Sequence, residues 1–342
     1  MKSKLLLTII TFIIIVTTIS MFAACKAPVT ETTAATSEET VATTAAESQP
    51  SEAEEKQLVF GYGPAMIEDP YWLRMLEGVQ SETAKNNIKL LWSDSRNEPA
   101  TQIKIMEDFI SSKVDFILVS PVDPESLVDV INSAVDSGIP VITLGRDANT
   151  DKRICWIGND EYECGLMQSK WIVEKFPDGA NVLWLQGPRG AQSIEELYKA
   201  ASSVFAENPK IKILAEWGSG FRRTEAYDVT ETWLQEFPDV DVIYGFYDEI
   251  ALGGMMAAEA ANRLKDIAVV GSDFSADARK GMADGKVAMD VMKQPGLTGV
   301  MGVQVALDYL SGKNTKPEVK TFVPMVVVAP ENMGEVDTKW AP

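Results

Sequence analysis

VDFILVSPVDPESLVDVINSAVDSGIPVITLGR, residues 114–146, carries the pattern that decides the fold. It opens on an unbroken apolar run, Phe116 to Val119, and turns at Ser120-Pro121. Apolar residues then recur at helical spacing from Pro124 to Val135, the chain breaks at Gly138-Ile139-Pro140, and a second apolar run follows from Val141 to Leu144. A short apolar run between turn residues fits a strand buried on both faces, whereas i, i+3, i+4 spacing gives a helix with one buried face. Strand, helix, strand at this spacing is one βα unit, and strands joined through a helix lie parallel.

The same unit repeats on both sides. Upstream, strands are predicted at Leu58–Tyr62 and Ile88–Trp92, with helices at Tyr71–Ala84 and Ala100–Ser111. Downstream, strands at Ile154–Ile157, Val182–Leu185, Ile211–Glu216, Val242–Tyr244 and Ile267–Val270 alternate with helices at Tyr162–Lys175, Ile194–Ala206, Thr224–Glu236 and Ile250–Asn262. A strand Val287–Val291, a helix Leu297–Leu310 and a strand Thr321–Val328 complete the pattern. From Gln57 onward 286 residues remain, more than the roughly 100–200 of one domain. The expected fold is therefore α/β, with parallel sheets in two lobes and a cleft between them. Residues 154–161 would mark the first crossing, and the last strand, helix and strand belong to one lobe or the other.

The N-terminus reads differently. Lys2 and Lys4 precede an apolar run from Leu5 to Ile19, which leads to Phe22-Ala23-Ala24-Cys25. A basic start, an apolar run short of the ~20 residues of a span, and small residues at its end make an export signal over 1–24. The alternative is an uncleaved membrane anchor. Residues 26–56 hold seven glutamates, two lysines and no aromatic residue. Such a segment cannot bury a core and is expected to be a disordered acidic tether.

Composition excludes several functions. The chain has no histidine, which removes His-based triads and His-ligated metals. Loss of Lys2 and Lys4 with the signal takes the net charge from −19 to −21, against any nucleic-acid partner. Cys155 and Cys164 stand nine apart, which fits no zinc or redox motif. Two buried thiols or a disulfide remain open. No metal or other cofactor is expected. A carboxylate pair of glycosidase type is the distant alternative, since Asp and Glu total 50.

In parallel α/β sheets ligands sit beyond the carboxyl ends of the strands. The residues there are Asp69, Tyr71 and Trp72, Ser120, Arg146, Asn159 with Asp160, Arg189, Phe221, Tyr247 with Asp248, Asp273, and Lys293 with Gln294. Aromatics mixed with carboxylates, amides and cations suit a polyhydroxylated ligand, which has apolar ring faces and hydroxyl edges.

Six stretches in order resemble the ribose- and galactose-type periplasmic binding proteins, the type I solute receptors of sugar ABC importers. They are Asp69-Pro70-Tyr71-Trp72, Val114–Ile117 with Ser120–Asp123, Gly138–Val141 before Arg146, Ile157-Gly158-Asn159-Asp160, Asp248–Gly253, and Val270-Gly271-Ser272-Asp273. The similarity runs over nearly all of Gln57–Asn332 and implies two Rossmann-like lobes joined by a multi-strand hinge, the first holding residues 57–159 plus about 294–320 and the second 160–293 plus about 321–342. Separately, the small residues Ala23-Ala24 before Cys25 resemble the bacterial lipobox, which implies that Cys25 is lipidated and holds the exported receptor at the membrane.

The resemblance implies that Tyr71 and Trp72 sandwich a sugar ring with Phe221, and that Arg146 donates to its oxygens. Asp273 would accept from hydroxyls, and Asn159 would lie at the first crossing between lobes. This sequence departs from the family at Asp69, usually asparagine, at Gly145, usually aspartate, at Tyr247, commonly asparagine, and at Leu197, usually arginine. The hinge glutamine aligns with Lys293, one residue before Gln294. The implied ligand is a monosaccharide, cyclitol or sugar acid, the implied partner an ABC permease, and the receptor a monomer. A sensory receptor for the same ligands is the alternative. A lactose-repressor-type regulator, which shares the fold, would begin with a helix-turn-helix where this chain has a signal and tether.

Overall fold

The computed structural model describes residues 56–342 except Phe221. The signal, Cys25 and nearly all of the tether therefore lie outside the described residues, as does Phe221. In the first half of the domain β1 (Val59–Gly63), α1 (Pro70–Lys85), β2 (Lys89–Trp92), α2 (Pro99–Ser111), β3 (Phe116–Val119), α3 (Val128–Asp136), β4 (Val141–Leu144) and β5 (Trp156–Gly158) alternate. The second half continues with α4 (Glu161–Lys175), β6 (Ala180–Leu185), α5 (Gln192–Glu207), β7 (Ile211–Trp217), α6 (Arg223–Glu236), β8 (Val242–Gly245) and α7 (Asp248–Ala260). Then come β9 (Ala268–Asp273), α8 (Ala276–Ala283), β10 (Met289–Met292), α9 (Pro295–Leu310), β11 (Lys320–Phe322) and β12 (Val326–Val328).

The strands form two six-stranded sheets wound alike, β2-β1-β3-β4-β5-β11 and β7-β6-β8-β9-β10-β12. Strand pairing is parallel in both, apart from β12, which runs antiparallel to β10. In each sheet the first strand lies between the second and third, which opens a crevice at their carboxyl ends. Side chains alternate across the first sheet. Phe60, Tyr62, Phe116 and Leu118 pack in a core shared with α1 and α9, while Ile117, Val119 and Val141 pack with α2 and α3. One larger core, centred on Trp184, Tyr244 and Phe246, fills the second lobe.

A buried glutamine ties the strand ends together in each lobe. Gln102 of α2 donates to the carbonyls of Gly63 (3.1 Å) and Ser120 (2.8 Å) and accepts from the Val122 N–H. Gln168 of α4 donates to Gly245 (3.2 Å) and Gly271 (2.9 Å) and accepts from the Tyr244 hydroxyl. These bonds satisfy backbone carbonyls where the ladders stop.

The chain passes between lobes three times, at Gly158–Glu161, Met292–Pro295 and Phe322–Val326. The second passage delivers α9 onto α1, where Gly78 faces the Gly296 backbone and Gly299 faces that of Met75. A side chain at either glycine would run into main chain. The third passage corrects the expected single strand Thr321–Val328. Thr321 and Phe322 pair with Ile157 and Gly158 in the first sheet, and Val326–Val328 pair with β10 in the second. Pro324, which has no N–H for a ladder, falls at the break.

Two further boundaries move. α3 begins at Val128 because Asp123 Oδ1 accepts from the N–H groups of Glu125 (3.0 Å) and Ser126 (2.8 Å), a local turn that competes with helix. β10 ends at Met292, so Lys293 is the first residue past it. Cys155 and Cys164 are free thiols, one buried in each lobe.

Candidate ligand-binding site

The first lobe's contribution starts at Asp69. It caps α1, accepting the Tyr71 N–H at 2.8 Å, and Pro70 occupies the first turn, where no N–H is needed. This cap fixes the direction in which Tyr71 and Trp72 leave the helix. Their rings meet edge to face at 5.0 Å. The Tyr71 hydroxyl donates to Asn159 Oδ1 (3.0 Å), and Asn159 donates in turn to the Val323 carbonyl at 3.5 Å. One aromatic is thus tied to two hinge passages.

Arg146 lies over the Trp72 ring, 5.0 Å from its centroid, and donates to the Val122 carbonyl at 2.9 Å and to Asn97. Gly145 precedes it with φ +70°, and a side chain there would strike the Trp72 ring. In this chain the position is therefore suited to glycine.

The second lobe contributes Tyr247, Asp273 and Lys293. Lys293 is 1% exposed. Its ammonium lies 3.0 Å from Glu161 and 3.3 Å from Asp273, and 4.5 Å over the Tyr247 ring. Burial alone would lower its pKa, but Glu161 and Asp273 hold it well above the ordinary lysine value. Asp273 adopts φ +109° and Phe274 φ +59°, a backbone region that side chains normally avoid.

Electrostatics place the two contributions around one locus. Burial raises the Asp69 carboxyl, the Tyr71 N–H and Arg146 pull it down, and Glu249 of the second lobe raises it further. Burial raises Tyr71, which also feels Lys293, Glu161 and Asp273 across the cleft. Arg146 is lowered by burial and supported by Tyr247, then Asp69. Asp273 is raised by burial against the pull of Lys293, with Asp69 among its like-charged neighbours.

Asp69, Tyr71, Trp72, Arg146, Asn159, Tyr247, Asp273 and Lys293 are thus brought together. Ser120 is fully buried inside the first lobe, its hydroxyl 3.0 Å from that of Tyr62 and 3.4 Å from the Met75 sulfur. Arg189 is exposed, paired at 2.9 and 2.7 Å with Glu195 and stacked 3.7 Å from the Tyr198 ring. Neither joins the cluster among the described contacts. Gln294 donates instead to the Pro324 carbonyl, which leaves the inward position to Lys293. The sequence reading missed Glu161, first residue of α4. The usable signal was a lysine at a buried strand end, which needs a carboxylate partner.

This arrangement offers an aromatic surface on one side and hydrogen-bonding carboxylates and cations on the other. The two thiols are poor nucleophiles, since burial raises Cys155 to about 11 and Cys164 beyond that.

Residues 60–314 match the family described as periplasmic binding protein domain. A ribose import binding protein of Haemophilus influenzae is 31% identical over 263 residues, 77% of this chain and 88% of the relative. A solute-binding protein of an ABC transporter from Bacillus halodurans C-125, solved with bound myo-inositol, superposes with a TM-score of 0.75 at 28% identity. That match covers 83% of this chain and 98% of the other. A periplasmic ribose ABC transporter structure from Conexibacter woesei gives 0.75 at 29% identity, over 82% and 94% of the two chains.

Proposed function

Since the chain belongs to the periplasmic binding protein family, we propose that it captures one neutral monosaccharide or cyclitol between its lobes and delivers it to an ABC permease. The observation that carries this is the convergence of Tyr71, Trp72 and Arg146 from one lobe with Tyr247, Asp273 and Lys293 from the other. A sugar or cyclitol ring presents C–H faces to aromatic rings and hydroxyls to the charged edge. The Haemophilus relative is named for ribose and the Bacillus structure holds myo-inositol, two ligands of this chemistry.

Charge separates neutral ligands from sugar acids. Lys293 already faces Glu161 and Asp273, and Arg146 faces Asp69 and Asp123. A ligand carboxylate would enter with no unopposed cation to receive it, and a buried uncompensated charge is costly. The three hinge passages let the lobes close on the ligand and expel water, giving the permease a closed form to recognise. No bond is made or broken.

Titration calorimetry of the purified protein against D-ribose, myo-inositol and D-galacturonate tests this. A neutral ligand should bind with low-micromolar affinity or better and the acid only weakly. Galacturonate binding more tightly than the neutral compounds would overturn the charge argument, and silence across neutral sugars and polyols would overturn the function.

The exported chain is proposed to be a monomer, lipidated at Cys25 and held near its permease by the acidic tether, which raises its effective concentration there. Support lies in the apolar run ending in Ala23-Ala24-Cys25. A Cys25→Ala variant should leave the membrane fraction while binding ligand as before.

A further inference from the structure

Beneath the cleft, two buried carboxyl groups flank the backbone of Gly271. Asp248, at the start of α7, and Asp290, within β10, are 3% and 0% exposed. Each uses one oxygen on the turn that follows β9. Asp290 Oδ1 accepts the Phe274 N–H at 2.9 Å, and Asp248 Oδ2 accepts the Ser275 N–H at 2.7 Å. This is the turn whose positive φ angles at Asp273 and Phe274 have an unfavourable backbone geometry. The two remaining oxygens, Asp248 Oδ1 and Asp290 Oδ2, are buried with no nitrogen or hydroxyl donor. Both approach one point, lying 2.9 and 3.1 Å from where a side chain on Gly271 would begin.

Two ionised carboxylates cannot face each other in such a place without a donor between them, and one proton supplies it. We propose that Asp248 and Asp290 form a single carboxylic acid–carboxylate unit, sharing one proton, that holds the Asp273 turn in its binding geometry, so that capture weakens when that proton is lost. Both are positioning residues acting through Asp273, and their effect on ligand rests on the function proposed above.

The Ser275 side chain also hydrogen-bonds Asp248, but among the described residues no hydrogen-bond donor reaches Asp248 Oδ1 or Asp290 Oδ2. From α7 comes Glu249, from β9 Asp273, and from beyond β10 Lys293, whose ammonium pairs with Glu161 and Asp273. Arg279 of α8 is the cation that senses both carboxyls, but its hydrogen bond goes to the Phe274 carbonyl at 2.7 Å, and Arg74 of α1 repels it. Leu252, Met282, Met292 and Val328 close the far side of Phe274 with apolar surface. Burial raises both carboxyls and Asp248 raises Asp290 further, so the folded protein keeps a proton that the unfolded chain has lost. For groups raised in this way the stabilisation is present at low pH and is lost as pH rises through the folded value.

The test uses Asp290→Asn and Asp290→Ala beside the wild type, with three readouts. Infrared difference spectra recorded across pH should show the C=O stretch of a buried protonated carboxylic acid in the wild type, fading as pH rises and absent in Asp290→Asn. The wild type should lose thermal stability as pH rises above the ordinary carboxylate range and through the folded value, and the asparagine variant, whose amide donates to Asp248 without titrating, should flatten that limb. Affinity for myo-inositol or D-ribose, whichever binds, should fall about tenfold or more in Asp290→Ala, which strands the Phe274 N–H, and be rescued by Asp290→Asn.

Spectra without the acid band at the pH where the wild type is most stable, or a pH–stability profile unchanged in Asp290→Asn, overturn the shared proton. Equal affinity in the alanine variant overturns the positioning role. If no neutral sugar or polyol binds the wild type, the proposed function fails while the spectra and the stability profile still decide the proton.

Discussion

The two lobes have the same strand order and the same glutamine pin, yet they hold their candidate ligand-binding residues by different physics. In the first lobe a capped helix, an edge-to-face aromatic pair and a cation over an indole do the holding. The polar atoms beneath, Tyr62, Ser120 and Gln102, are neutral. In the second, Asp248, Asp290, Asp273 and Lys293 are all ionisable and nearly all buried. On the proposed function the aromatic pair of the first lobe meets the ring face, while Arg146 of that lobe and Asp273 of the second meet the hydroxyls. Ionisable groups dominate the second lobe's contribution, and in the first Asp69 is the carboxyl that burial raises.

Four substitutions sharpen or break that contrast. Trp72→Ala removes the floor under Arg146 and empties a packed site; it should cost about 4 kcal/mol of stability and abolish ligand binding, with little change in salt dependence, as urea melts and calorimetry would show. Lys293→Met leaves Glu161 and Asp273 without their cation and should cost about 3 kcal/mol, a loss that shrinks as pH falls and Asp273, whose carboxyl burial already raises, takes up a proton. A loss of equal size at every pH would mean that Lys293 acts by packing, as the first lobe's residues do. Tyr71→Phe keeps the ring but strands Asn159 Oδ1, at about 1 kcal/mol, and should weaken binding modestly. Arg189→Ala, at an exposed ion pair, should change stability by about 0.5 kcal/mol or less and leave affinity within twofold; a tenfold loss would bring Arg189 into the site.

The strands and helices were legible because central parallel strands are buried on both faces and write themselves as apolar runs, as at Phe116–Val119 and Val141–Leu144. The run Thr321–Val328 was not, because its two halves belong to different sheets and only Pro324 marks the break. Residues at strand ends could be nominated from position alone, and eight of them meet. Ser120 and Arg189 satisfy the same positional rule, but their partners, Tyr62 and Glu195, divert them. Glu161 and Asp290 escaped notice for the opposite reason. Each matters only through a partner far away in sequence, 132 residues in the case of Glu161 and Lys293, and no local pattern announces such a pairing.

The central claim is that one neutral ring is held between the aromatic pair of the first lobe and the carboxylate of the second. A crystal structure of the protein with the ligand that co-purifies with it tests this most directly. A sugar or cyclitol ring should lie against Tyr71 and Trp72 with hydroxyls at Arg146 and Asp273, and Lys293 should remain paired with Glu161. A ligand carboxylate bound to Lys293, or a ligand seated away from Tyr71 and Trp72, would contradict the account.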